Sequence, residues 1–307
     1  MSSAKILTMK AAIERYVVDG TVIALEGFSH LIPFAAAHEI IRQRRTGLTL
    51  CRMTPDLVSD QLIAAGCVTK LIASFFASGS AGSLHELRRR FEDHDPAPLE
   101  IEEYSHFGMV NRYHAGASHV PFAPLRSYSG SDLPTLNPLI RAIDNPYGAG
   151  SVYVVPALNP DVTIIHAQRA DRSGNTQIWG ILGAQQEAAF AARHTIVVVE
   201  ELVDDEVVRA DPNRTIIPGL AIDAVVVAPR GAHPSYAQGY YDRDGDFYRD
   251  WTAISKDPQR LQQWLKDWVY DLSTPADYVE KLGVETWSRL AVDNRPSGVV
   301  NYGSGRS

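Results

Sequence analysis

Apolar and polar positions along this chain switch between two periods, and the switches divide it into elements. Met9, Ala12, Ile13, Tyr16 and Val17 recur at three- and four-residue spacing after Thr8, which predicts a helix capped by Thr8 and ended by Gly20. Residues 21–25 are then continuously apolar or β-branched and predict a buried strand that runs into Gly27, Phe28 and Ser29. Pro33 is expected at the first position of the next helix, where its missing N–H costs nothing, with Phe34, Ala37, Ile40 and Ile41 on one face and Gly47 past its end. The pattern continues with a strand at 48–53, a helix opened by Thr54 as cap and Pro55 as first residue and stopped by Gly66, and a strand at 68–76.

Downstream the elements persist with longer loops. A strand is expected at 99–104, a helix at 106–119, and a single long connection rich in proline, serine and asparagine at 121–147. Residues 161–168 form a strongly apolar strand, followed by a turn at 172–175 and a return at 176–179, which reads as a hairpin. A helix at 184–193 precedes TIVVVE at 195–200 and AVVVA at 224–228, runs of the kind found in strands covered on both faces. Parallel strands need crossover helices, so the expected class is α/β, doubly wound, with a ligand in the crevice at the carboxyl ends of the strands. Two polar helices, at 261–270 and 275–282, make a helical C-terminal extension. The chain reads as one unit over 1–285 and a loosely ordered tail over 286–307.

Composition narrows the classes. A formal charge of −7 argues against a nucleic-acid binder, and 45% hydrophobic with 21% charged residues is ordinary for a globular protein. No signal-peptide pattern and no uncharged span of membrane length is found, which makes the cytoplasm the default expectation. Cys51 and Cys67 have neither a CxxC partner nor a histidine at metal spacing, so they read as small core residues, and no metal site is expected.

Three stretches carry candidate chemistry. The turn after the strand at 21–25 places Gly27, Phe28, Ser29 and His30 where backbone amides suit an anion or oxyanion. The stretch ASGSAGS at 77–83 follows a strand and opens a helix, so Ser78, Ser80 and Ser83 are candidates for holding a carboxylate. Glu102, Glu103, Tyr104 and His106 form a third group at a strand end, with Glu103 a candidate acid or base. His166, in the middle of an apolar strand, reads as a hydrogen-bonded core histidine.

The stretch DGTVIALEGFSHLIP resembles a signature of the family-1 coenzyme A transferases: Asp-Gly, two residues, three apolar residues, Gly-Gly-Phe, three residues, Gly, any residue, Pro. Glu26 stands at the first glycine of the pair, and Ile32 near the later one. The blocks DVTIIHAQRADRSGNTQIWG, TIVVVEELVDDEVVRADP, IPGLAIDAVVVAPRGAHPS and DWVYDLSTPADYVEKLG extend the likeness, so that nearly the whole chain is similar to the glutaconate-type α subunits of that family.

The resemblance implies a sheet of the CoA-transferase type, a coenzyme A thioester as substrate, a small and dicarboxylic acyl group, and no tightly bound cofactor. It also implies a nucleophilic glutamate that attacks the acyl-CoA, passes through an anhydride and becomes a glutamyl-CoA thioester. In the family that glutamate lies in a Ser-Glu-Asn-Gly type motif of the β subunit. This chain has no such motif, so a β partner in a heterodimer or larger assembly is expected, with neither nucleic acid nor membrane as partner. Ser80 is the best counterpart of the serine that holds the free carboxylate in the glutaconate enzymes. Glu26, a carboxylate beside an oxyanion turn, is expected to be neutral, paired or turned away, with His30 and Arg126 as candidate partners and the subunit interface as the plainer reading; in a changed mechanism Glu26 is itself a candidate acid or base. A hydrolase, decarboxylase or ring-cleaving enzyme on the same scaffold is the alternative, and a non-catalytic effector-binding module a further one.

Overall fold

Thr8 accepts a hydrogen bond from the Ala11 amide at 3.2 Å and starts α1 (Met9–Tyr16), as its position in the apolar pattern predicts. The computed structural model describes residues 5–77, 82–92 and 98–292. Next come β1 (Val22–Glu26), α2 (Phe34–Arg42), β2 (Leu48–Arg52), α3 (Leu57–Ala64), β3 (Val68–Ala73), α4 (His85–Glu92), β4 (Glu100–Glu103) and α5 (His106–Ala117). The middle of the chain holds β5 (Phe122–Leu125), α6 (Leu133–Leu136), β6 (Arg141–Asp144) and β7 (Ser151–Pro156). Then follow β8 (Val162–Ala170), β9 (Thr176–Gln177), α7 (Gln185–Ala191), β10 (His194–Leu202), α8 (Asp205–Ala210), β11 (Thr215–Ile217) and β12 (Ala224–Val227). The chain closes with α9 (Gly245–Lys256), α10 (Pro258–Leu265) and α11 (Pro275–Arg289).

The main sheet is the expected doubly wound α/β sheet. From β1 the chain steps outward through β2, β3 and β4, all parallel. On the other side of β1 lie β8, β10 and β12, again parallel. The order therefore reverses at β1 and β8, the place where such sheets open a crevice above their carboxyl ends. β9 turns back antiparallel onto β8 and β11 onto β9, which is the hairpin expected at 172–179. Isoleucine and valine fill the inner strands because both faces are covered: α1, α2, α3, α9 and α10 pack one side, while α5 and α7 pack the other. Cys51 and Cys67 are buried free thiols in this core. Among the described residues, no helix is long and apolar enough to cross a membrane.

Four expectations need correction. Helix α3 begins after Asp56, whose carboxylate accepts the Leu57 amide at 2.6 Å; an acceptor with negative charge at a helix start displaces Thr54 and Pro55 from the cap and first positions. Pro33 is the residue before α2 and not its first turn. The region 121–147 is not a plain connection: β5 and β6 pair antiparallel with β7 in a separate three-stranded sheet. β5 and β6 have four residues each and β6 is exposed throughout, so these two lack the apolar runs that mark the main sheet. Finally, α11 continues past 285 to Arg289, with Trp287 and Leu290 buried, so the expected edge between 285 and 286 falls inside a helix. Helix α9 has no counterpart among the elements expected from the sequence; Trp251 packs perpendicular to Trp264 of α10, at 4.9 Å between ring centroids, and ties it to the core.

Candidate active site

At the end of β1 the backbone leaves ordinary strand geometry. Ser29 and Leu31 both have positive φ, 56° and 54°, an uncommon conformation for non-glycine residues that clusters at functional sites. Gly27 has no room for a side chain, because a Cβ there would lie 2.6 Å from the Leu31 carbonyl oxygen. The turn is pinned from behind. The Leu31 amide donates to the Tyr236 carbonyl at 3.0 Å, and the Ile32 amide donates to the Ser235 hydroxyl at 3.0 Å. These two amides are therefore spent on the fold, and Phe28 and Ser29 are the turn residues that line the space above the sheet.

That space is a cavity of about 250 Å³. Phe28 and Ser29 line it from the end of β1, Arg52, Thr54 and Asp56 from the end of β2, Phe75 from the segment after β3, and His106 from the first residue of α5. Four successive parallel strands thus feed one pocket. Two phenylalanines give it apolar walls, and the Thr54 hydroxyl lies 3.0 Å from His106 Nε2 at its rim. Arg52 is almost fully buried; its guanidinium reaches across to β1 and donates to the carbonyls of Leu25 and, at 2.9 Å, Gly27.

The residues singled out in the sequence divide between this cavity and its supports. Glu26 is buried and points toward α5, where its Oε1 accepts from the Met53 amide at 3.0 Å and the Tyr113 hydroxyl at 2.9 Å. Burial raises its carboxyl above the usual range, against the Arg52 charge and these hydrogen bonds. The nearby cation is Arg52, not His30 or Arg126, because neighbouring parallel strands bring the ends of β1 and β2 together. His30 is fully buried: Nδ1 lies 2.9 Å from the Ile181 carbonyl oxygen and Nε2 accepts the Gln238 amide at 3.0 Å. Burial lowers it to about 4, so the ring is neutral, donates through Nδ1 and ties three loops together.

The group at 102–106 is separated by its alternation. Glu102 accepts from Arg112 at 2.7 Å and the Tyr104 hydroxyl at 2.8 Å, and pairs with Lys70 at 2.8 Å. Burial alone would raise its carboxyl; the Lys70 hydrogen bond and the Arg112 charge outweigh that and hold it below the usual range. Glu103 is exposed on the opposite side, while His106 joins the cavity. Ser83 is half-buried ahead of α4, and Ser78 and Ser80 lie outside the described residues. His166 is fully buried with Nε2 2.6 Å from Glu200, as a core histidine should be. Among the described residues, no group of three histidine, cysteine or acidic side chains is placed to hold a metal ion. Sequence reasoning missed Arg52, Thr54, Asp56 and Phe75 as cavity residues. The arginine that ends the apolar run LTLC was a usable signal, since a charge there sits at a carboxyl strand end.

Comparison with known proteins agrees with this architecture. The profile of the family described as Coenzyme A transferase matches residues 6–228. The chain is 50% identical over 279 residues to the A-type subunit of 3-oxoadipate CoA-transferase from Pseudomonas knackmussii, covering 91% of this chain and 98% of that protein. It is 38% identical over 306 residues to the A-type subunit of glutaconate CoA-transferase from Acidaminococcus fermentans, covering 94% and 95%. The crystal structure of the glutaconate coenzyme A-transferase from that organism superimposes with a TM-score of 0.89 over 94% of this chain and 96% of that one, at 36% identity.

Proposed function

The chain belongs to the coenzyme A transferase family as the α-type subunit of a two-subunit CoA-transferase, and from that premise we propose that it moves CoA between a small dicarboxylic acyl-CoA and a carboxylic acid. The nucleophilic glutamate comes from the β subunit, and this chain supplies the acyl pocket and the backbone turn beside it. The observation that carries this reading is the cavity of about 250 Å³ above β1, β2 and β3, bounded by the pinned turn at 27–31. Its volume suits an acyl chain of a few carbons and falls short of the roughly 300–1,000 Å³ that a larger ligand occupies, so the coenzyme itself lies outside it. Relatives named for 3-oxoadipate and glutaconate, both short dicarboxylates, agree with that size.

In this reading the β-subunit glutamate attacks the thioester carbonyl and the CoA thiolate leaves. The thiolate then attacks the glutamyl carbonyl of the mixed anhydride, freeing the first acid and leaving a glutamyl-CoA thioester that activates the incoming carboxylate. The Gly27–Ser29 backbone sits where the thioester oxygen develops charge, and a pre-set donor there lowers the barrier. The likeness to the glutaconate enzymes gives Ser80, with Ser78 and Ser83, as the residues that hold the free carboxylate of the substrate.

The test is reconstitution. The purified chain alone shows no CoA transfer, and adding a β chain with the Ser-Glu-Asn-Gly type motif produces a new acyl-CoA detectable by mass spectrometry. Full turnover by this chain with no other polypeptide present rules the reading out. Within the active complex, Ser80→Ala reduces use of dicarboxylic substrates more than use of plain acyl-CoA, by the roughly 1.5–3 kcal/mol of a hydrogen bond to a charged group.

A further inference from the structure

The second sheet carries apolar side chains on both faces. Its register sets Phe122 opposite Pro156, Pro124 opposite Val154 and Ile143 opposite Val152, and alternation along each strand puts these six on one face. The other face, with Ala123, Leu125 and Val155, is buried in one core cluster with Met109 and Tyr113 of α5. An antiparallel sheet that meets water on its outer face carries polar residues there. Here the outer face offers a single charge, Arg141, opposite Val154. Phe122 is 45% exposed and Ile143 38%, and among the described residues neither they nor Val152 and Val154 belong to a core cluster. A contiguous apolar face left open in this way marks an interaction site.

Size and position identify the occupant. Three strands about 4.8 Å apart, with about five residues each at roughly 3.4 Å, present only about 250 Å². A stable interface takes about 800 Å² from each partner, so a second copy of this chain seated on this face alone would not hold, and the face belongs to a wider contact. The connection between β5 and β6 leads from it to the cavity. Asn137 Nδ2 donates to the Glu103 carbonyl at 2.8 Å, at the end of β4, and the Ser105 amide donates to the Tyr128 hydroxyl at 3.3 Å, at the start of α5, whose His106 lines the cavity. Leu136 in that connection is exposed, as are Phe107, next to His106 in the chain, and Phe75, whose ring centroid lies 6.1 Å from that of His106. A chain that brings a glutamate to this cavity meets the same connection.

We propose that the outer face of the second sheet is a docking surface for the β subunit, continuous with the cover that subunit forms over the cavity. The matching surface of the β subunit is apolar, with an acidic group for Arg141. The proposal rests on the two-subunit reading above and holds whichever acyl group is moved.

The test compares hydrogen–deuterium exchange of this chain alone and in the assembled α and β complex, and measures the affinity of variants for the β subunit. The expected result is slower exchange across residues 122–156 in the complex, and an affinity at least about tenfold weaker for Ile143→Asp, which sets a charge in the middle of the apolar contact. Phe122→Asp, on a different strand, is the second variant and is expected to act in the same direction. The exchange measurement needs no substitution and decides where neither variant folds. Unchanged exchange across 122–156 overturns the proposal, as do folded variants that keep the wild-type affinity. Variants that leave the contact between α and β intact and only lower the number of copies in the assembly overturn it too, because the face would then belong to a second copy of this chain. A complex that assembles through this face yet transfers CoA from no acyl-CoA offered supports the docking surface and overturns the transferase reading instead.

Discussion

The Tyr113 hydroxyl donates to Glu26 Oε1 at 2.9 Å, so a side chain from the middle of α5 secures the last residue of β1 immediately before the turn at 27–31. The same carboxylate oxygen takes the Met53 amide, which locks the ends of β1 and β2 together. Glu26 thus works as a brace where the family signature has glycine. Glu26→Gly leaves two buried donors without an acceptor and is expected to lower stability by roughly 1–3 kcal/mol, read as a drop in Tm. Turnover of the assembled variant, measured well below its Tm, stays within about tenfold of wild type. A loss on the order of 10²-fold in a folded, assembled protein would instead give Glu26 a part in proton transfer.

The raised Glu26 carboxyl has a pH signature. A folded-state pKa above the ordinary 4.5 means that the folded protein holds the proton more tightly, so its favourable contribution is complete below 4.5 and fades as pH rises through the folded value. Glu26→Gln does not titrate. The stability of Glu26→Gln relative to wild type should therefore rise with pH above 4.5, measured as the difference in urea midpoints; a flat difference from about pH 4 to 8 counts against a raised carboxyl.

His30 and His38 both contribute to sensitivity to acid. Burial lowers them to about 4 and about 3, whereas an unfolded histidine takes its proton near 6.5. As pH falls below 6.5 the unfolded state binds protons that the folded state refuses, so stability present at about pH 7.5 is lost on the way to 4 and below. His38 Nε2 lies 3.0 Å from the Gln61 side-chain oxygen. His38→Gln is expected to be less stable at about pH 7.5 yet to lose less between there and about pH 5 than wild type does. Parallel losses in the two proteins would show that His38 is not a source of the acid sensitivity.

Gly27 and Ser29 should respond in opposite ways. Gly27→Ala places a Cβ against the Leu31 carbonyl and is expected to cost more than about 1 kcal/mol and to collapse turnover through the displaced turn. Ser29→Gly relieves a left-handed backbone that costs roughly 1 kcal/mol, so it is expected to hold or raise Tm. Thermal scans of the two variants beside wild type check both signs.

The Glu102 network predicts a stability effect where β4 meets α5. Arg112 and Glu102 are nearly buried partners at 2.7 Å. Arg112→Met strands a carboxylate that keeps only Lys70 and Tyr104, at an expected cost approaching the roughly 3–5 kcal/mol of a broken buried pair. A midpoint shift worth under about 1 kcal/mol would mean that Lys70 carries most of the pairing.

The sequence by itself determined the elements whose causes are local. Apolar runs such as TIVVV and AVVV mark strands buried on both faces, Thr8 starts a helix (whose end at Tyr16 comes before the expected Gly20), and the alternation of strands with helices requires a parallel sheet. The family likeness is likewise written in contiguous blocks. Tertiary structure alone decided which side chains meet. Arg52 braces Gly27 and Thr54 faces His106 because parallel pairing sets residues 25 and 52 positions apart side by side, and no local period encodes that distance. It also decided the second sheet, where β5 and β6 are held by cross-strand pairing to β7 and carry little hydrophobic pattern of their own. Burial did the rest: the same histidine that reads as a ligand-facing residue in the string HLIP is a neutral brace once both ring nitrogens are enclosed by distant loops.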